Sequence, residues 1–120
     1  MQNPVDFVSL IRLIQAPEQY HEARVRVVGY GALGFERKAV YVSAEDLKHA
    51  VTKNAIWLSV QLTDEVLKLD KQYILVEGTF DKNNRGHLKM YSGAIRDIDR
   101  IVLWSKDADG SAAPPAPAAP

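Results

Sequence analysis

The chain has 120 residues, one domain's worth at the usual ~100 to 200 residues per domain, and too few for a cofactor domain plus a substrate domain. Fifteen basic residues balance fifteen acidic ones, so no overall positive field draws the chain to nucleic acid, and any such binding needs a local patch. There is no cysteine, which excludes disulfides, thiol catalysis and Cys-ligated zinc, and 47% hydrophobic with 25% charged residues is the composition of a soluble globular domain.

The N-terminus, MQNPVDFVSLIRLIQ, lacks the basic start and small-residue cleavage site of a secretory signal. No apolar run approaches the ~18 residues that span a bilayer, so a cytoplasmic protein without a membrane span is expected. Asn3 before Pro4 reads as an N-cap followed by proline at the first helical position. Phe7, Leu10, Ile11 and Ile14 fall at i, i+3, i+4 and i+7, which predicts an amphipathic helix over 4–15 ending before Pro17. From Arg24 the period changes to two, and strands are predicted at 24–30, 39–43, 55–61, 72–80 and 87–95. Ser43 and Thr63 are expected to cap two short helical segments, SAEDLKHAV and TDEVLKLD, while DKNNRG reads as a hairpin loop. The stretch from 107 to 120 is Pro/Ala-rich without apolar periodicity and is expected to be an extended, disordered tail beyond a single domain at 1–106.

Gly29, Gly31 and Gly34 spell G-x-G-x-x-G. A dinucleotide fingerprint needs a helix to begin at about Gly31 and an acidic residue ~20 positions on at the end of a second strand. Here a charged turn and another strand follow, and AIWLSVQ carries no acid, so no dinucleotide is expected. Gly29 after Val25 and Val27, and Gly78 after Ile74 and Val76, instead mark bends in two strands. The succession RVRVVGYGAL, AVYVS, AIWLSVQ, YILVEGTF and HLKMYSGAIRDIDRI resembles the OB-fold, a five-stranded Greek-key β-barrel. The resemblance covers 23–103 and implies a mainly β domain with helices, the N-terminal amphipathic helix packing beside the barrel. Segments NAIWL and VEGTFDKNNRGH are also similar to small uncharacterised bacterial proteins of this type, which implies no particular activity.

Catalysis has little to stand on. His21, His49 and His87 sit on separate elements without metal-ligand spacing, no serine lies in a nucleophile elbow, and Asp97 with Asp99 reads as a solvated charge ladder between Arg96 and Arg100. A non-enzymatic module without cofactor or metal is therefore expected. If Val40, Val42, Ile56, Leu58 and Val60 point inward, Tyr41, Trp57 and Ser59 point outward, onto the face that OB-folds use as a ligand platform, with Tyr91 as a third aromatic. Arg37 and Lys38 in one flanking loop, and Lys82, Arg85, His87 and Lys89 around another, would form a local basic patch. Two uses fit this face: capture of a protein partner by its aromatics, as in inhibitor, immunity or adaptor proteins, or stacking and phosphate contacts with single-stranded nucleic acid. The competing expectation is that the same aromatics are covered as ordinary core.

Overall fold

A computed structural model describes residues 4–105 of the chain. Two halves of one long strand, β2 (Arg24–Gly34), organise it. Its first half pairs antiparallel with β5 (Tyr73–Asp81), from Arg24 opposite Thr79 to Tyr30 opposite Tyr73, and its second half pairs with β3 (Arg37–Tyr41), from Tyr30 opposite Tyr41 to Gly34 opposite Arg37. β3 continues antiparallel to β4 (Ala55–Leu58), β4 runs parallel to β6 (Ala94–Leu103), and β6 returns antiparallel to β5. The pairings thus close into a ring, with a two-residue strand β1 (Asp6–Phe7) parallel to β2 on its outside. The architecture is mainly β, a six-stranded sheet with a few short helices. Among the described residues no helix is long and apolar enough to cross a membrane.

Glycine permits the bends. Tyr30 faces a partner on each side, and at the adjacent Gly29 a Cβ would lie 2.6 Å from the Tyr41 carbonyl oxygen and 2.5 Å from Leu10 Cδ1. At Gly78 it would lie 2.5 Å from Ile95 Cγ2 and 2.7 Å from the Arg96 oxygen, where the β5–β6 register shifts between Glu77 and Thr79. Both mid-strand glycines therefore sit where strands curve or bulge, as their sequence positions suggest. The bulge also explains the three-residue spacing of Ile95, Ile98 and Ile101. Arg96 faces Thr79 and Arg100 faces Glu77, so extra residues are taken up around Asp97, whose φ is 50°. Ile95 consequently belongs to the main core, and Ile98 and Ile101, partly buried, pack against it. The third fingerprint glycine, Gly34, ends β2 at the β2–β3 hairpin.

The core inside the ring combines Val25, Val27, Leu33, Val40, Ile56, Leu58, Ile74, Val76, Phe80 and Ile95 with Leu10 and Leu13 from helix α1 (Leu10–Gln15) and Val66 from a short helix further along the chain. Three differences from the sequence expectation stand out. The N-terminal helix starts at Leu10 rather than residue 4, because Asp6 and Phe7 are drawn into strand pairing, the Val8 amide donates to the Arg26 oxygen, and Ser9 Oγ accepts from the Ile11 and Arg12 amides. Its buried face is consequently Leu10 and Leu13, while Phe7 and Ile11 are exposed; the expected cap, Asn3, lies outside the described residues. Ser9→Ala should cost about 1 kcal/mol in a urea melt, as loss of an N-cap does. Second, α1 is followed directly by a short helix α2 (Pro17–Tyr20) with proline in its first turn.

Third, the last strand begins at Ala94, not 87. Gly86, Leu88, Lys89 and Gly93 have φ of 72°, 55°, 57° and 137°, a succession of positive values that breaks strand extension, and residues 82–93 form a long loop despite their alternating pattern. The short helices α3 (Ala44–Lys48) and α4 (Asp64–Leu67) form as expected, with the Ser43 and Thr63 hydroxyls accepting from the Asp46 and Val66 amides. The Pro/Ala-rich tail at 107–120 lies outside the described residues.

Candidate functional site

Alternation along β3 and β4 does turn Tyr41 and Trp57 away from the main core, but Tyr41 is not exposed. With Ala32, Ala39, Ala55 and Tyr91 it forms a second buried cluster, against which Tyr30, Leu47 and Trp57 pack. Tyr41 is 1% exposed and Tyr91 2%. The expected platform of three outward aromatics is thus largely core, and its cover within the chain is not α1. It is the 82–93 loop, with Leu47 of α3 beside it. Tyr91 lies 5.3 Å from the Trp57 ring centre, the Tyr91 amide donates to the Arg85 oxygen, and Gly86 presses on the Trp57 side chain so closely that a Cβ there would come within 2.8 Å of it. With φ at 72°, glycine is needed at position 86 for conformation as well as space. Burial, and then the Tyr91 phenol in hydrogen-bond contact with it, hold the Tyr41 phenol well above the ordinary tyrosine range, only partly opposed by the Arg37 charge.

Trp57 remains partly exposed, beneath a cation. Lys38 Nζ is 5.7 Å from its ring centre and 3.4 Å from the Val60 oxygen, so the side chain is held across the indole rather than left free in solvent. Ser59, one residue beyond the end of β4, is exposed, its amide donating to the Ile95 oxygen. Arg37 is exposed at the start of β3, and Arg85 Nε reaches the Tyr91 oxygen at 3.4 Å. His87 and Lys89 are exposed on the 82–93 loop. Lys82 belongs to the same loop by its backbone, its amide donating to His21 Nδ1. The structure brings Lys38, Trp57, Arg85 and Tyr91 together directly; Ser59, His87 and Lys89 lie on the segments around them.

Four arginines of β2 and β6 are neutralised: Arg24 meets Asp99 at 2.7 Å, Arg26 and Arg100 share Glu77 at 2.7 and 3.0 Å, and Arg96 contacts Asp97 at 2.8 Å. Asp97 and Asp99 are accordingly the outer charge ladder that their flanking arginines suggest. In contrast, none of Arg37, Lys38, Lys82, Arg85 and Lys89 has a carboxylate partner among the described residues. The histidines stay apart: His21 accepts the Lys82 amide, His49 lies 3.2 Å from Glu45, and His87 is on the loop.

Two surface residues escape sequence reasoning. Phe35 at the β2–β3 turn is 93% exposed, and Leu88, with its left-handed backbone, is 74% exposed. The available signal for Phe35 was a single aromatic inside a charged turn, outside any apolar period. A separate apolar cleft of about 400 Å³ lies between β1, α1 and the end of β6, lined by Phe7, Ile11, Val28, Val42 and Trp104 among others. Compared with protein-family models, with curated proteins and with solved structures, the chain matches none.

Proposed function

We propose that the chain is a non-enzymatic binding module of OB-fold type that captures a protein partner with an acidic surface. The fold part of this reading is supported by the strand order: the first long strand pairs with the second and the fourth, and the third runs parallel beside the fifth, an order that fits a closed Greek-key barrel. The functional part rests on one observation. The β2–β3 hairpin and the 82–93 loop together hold five cations without carboxylate partners, and each carries an exposed apolar residue, Phe35 and Leu88.

Like charges gathered without carboxylate partners repel one another and weaken a fold slightly, while an apolar anchor with a charged rim is how protein interfaces are built. Charge complementarity then sets the encounter rate and the choice of partner. The burial of Tyr41 and Tyr91 favours this use over base stacking, which needs open aromatic faces. Single-stranded nucleic acid is the second reading, favoured by the same unpaired cations with Phe35 as the stacking group.

A photo-crosslinking residue at position 35 in the full chain, combined with the double variant Lys38→Glu, Arg85→Glu, tests the proposal. A protein crosslink whose yield drops about tenfold or more in the double variant is expected. Alternatively, binding of mixed-sequence single-stranded RNA or DNA whose affinity falls with salt at a slope of about −0.7 per phosphate contact would replace it with the second reading. A crosslink insensitive to the charge reversal would remove this face as the site.

A further inference from the structure

The loop-rimmed face leaves the apolar cleft unused. Phe7 and Ile11 there are 48% and 61% exposed, although the sequence pattern places both on a buried helix face. Phe7 and Trp104 meet edge to face, with ring centres 6.4 Å apart and planes at 81°, so they form two walls of a corner. A second apolar depression of about 280 Å³ shares Ile11 and Val42 with the cleft and extends it along α1 towards Ile14. The Trp104 backbone amide donates to the Tyr73 oxygen, but its indole N–H has no acceptor among the described residues. The result is an aromatic-walled trough with one unused hydrogen-bond donor.

We propose that this trough takes the proline segment of the same chain. Pro114, Pro117 and Pro120 recur every third residue in PPAPAAP. A polyproline II helix has three residues per turn, so prolines at this spacing share one edge. Such a helix makes no internal hydrogen bonds, leaving its carbonyl oxygens free for an outside donor, and aromatic grooves with an indole N–H are suited to it. Its stiffness also lowers the entropy lost on docking. The tether favours the chain's own segment as occupant: Trp104 is a wall of the trough, and residues 106–113 join it to the first proline. A coil of that length has a typical span of about 15 Å, sufficient to turn back on the trough at an effective concentration in the millimolar range. This proposal uses neither the Trp57 face nor the basic loops, so it stands or falls separately from the proposed function.

The test is the ¹⁵N–¹H spectrum of the full chain, wild type against Pro114→Ala, Pro117→Ala, Pro120→Ala, with the Trp104 indole signal identified by a Trp104→Phe variant. The triple variant is expected to shift the Trp104 indole resonance and the amides of Phe7 and Ile11, and to leave the Trp57 indole in place. Both spectra should be independent of protein concentration. Unchanged Trp104, Phe7 and Ile11 signals overturn the proposal. So does a wild-type Trp104 shift that grows with concentration, because the occupant would then be the proline segment of another copy.

Discussion

Gly29→Ala is expected to be among the most damaging single-methyl changes in this protein, and Gly34→Ala, five residues later in the same G-x-G-x-x-G, to be harmless. A Cβ at position 29 meets the Tyr41 carbonyl oxygen at 2.6 Å, and that oxygen cannot retreat because it belongs to the β2–β3 ladder at the point where β2 changes partner. Leu10 Cδ1 at 2.5 Å and Val40 Cγ2 at 2.7 Å close the remaining directions. Overpacking of this kind costs about 3 kcal/mol or more where backbone must shift, a large part of the ~5 to 15 kcal/mol that holds a domain together. At Gly31 the obstacle is Ile74 Cδ1 at 2.9 Å, the end of a flexible side chain, so alanine there should cost about 1 kcal/mol. At Gly34 nothing lies within 4 Å, and alanine should be neutral or stabilise by about 0.4 to 1 kcal/mol through the unfolded chain. Urea melts of the three variants give the ranking. An order in which Gly34 matters most, or in which all three matter equally, contradicts the bending role assigned to Gly29.

What the sequence discloses and what it hides divide along a physical line. Local signals survive: the Ser43 and Thr63 caps form helices where expected, and the V-x-G pattern marks two real bends. Alternation also assigns Tyr41 and Trp57 to the correct side of β3 and β4, since a strand's period of two leaves no other choice. Periodicity, however, specifies a side without specifying what lies on it. The cover over Tyr41 is a loop far away in sequence, whose shape depends on left-handed conformations at Leu88 and Lys89 that neither residue type advertises. The same loop hides the start of β6, because HLKMYSGAI alternates like a strand while its backbone does not extend. At the N-terminus a helical period is real, but pairing of Asp6 and Phe7 with β2 satisfies their backbone instead and leaves Phe7 and Ile11 as trough walls rather than core. The unpaired cations are legible only as a cluster of types; their lack of partners, which gives them functional weight, is a property of the folded chain.

The buried tyrosine makes an alkaline limit to stability that can be measured. In the unfolded chain Tyr41 loses its proton near pH 10, whereas in the folded protein burial and the Tyr91 contact keep it protonated well above that. Above pH 10 the unfolded state therefore binds fewer protons than the folded state, and stability must fall as pH rises. The stabilising contribution is fully present below pH 10 and is lost at up to about 1.4 kcal/mol per pH unit above it, until the folded-state group itself ionises. Lysines and the other tyrosines titrate in the same range, so the quantity to compare is the difference between wild type and Tyr41→Phe in urea melts at pH 9, 10, 11 and 12. At pH 9 the variant should be about 1 kcal/mol less stable or equal, since it loses only a hydroxyl and its contact. By pH 12 the order should reverse, with the phenylalanine protein the more stable. A wild type and variant whose melts stay parallel to pH 12 would mean that the Tyr41 hydroxyl reaches water in the folded state. That result would also reopen Tyr41 as part of an exposed aromatic face, and with it the stacking mode of binding that its burial disfavours.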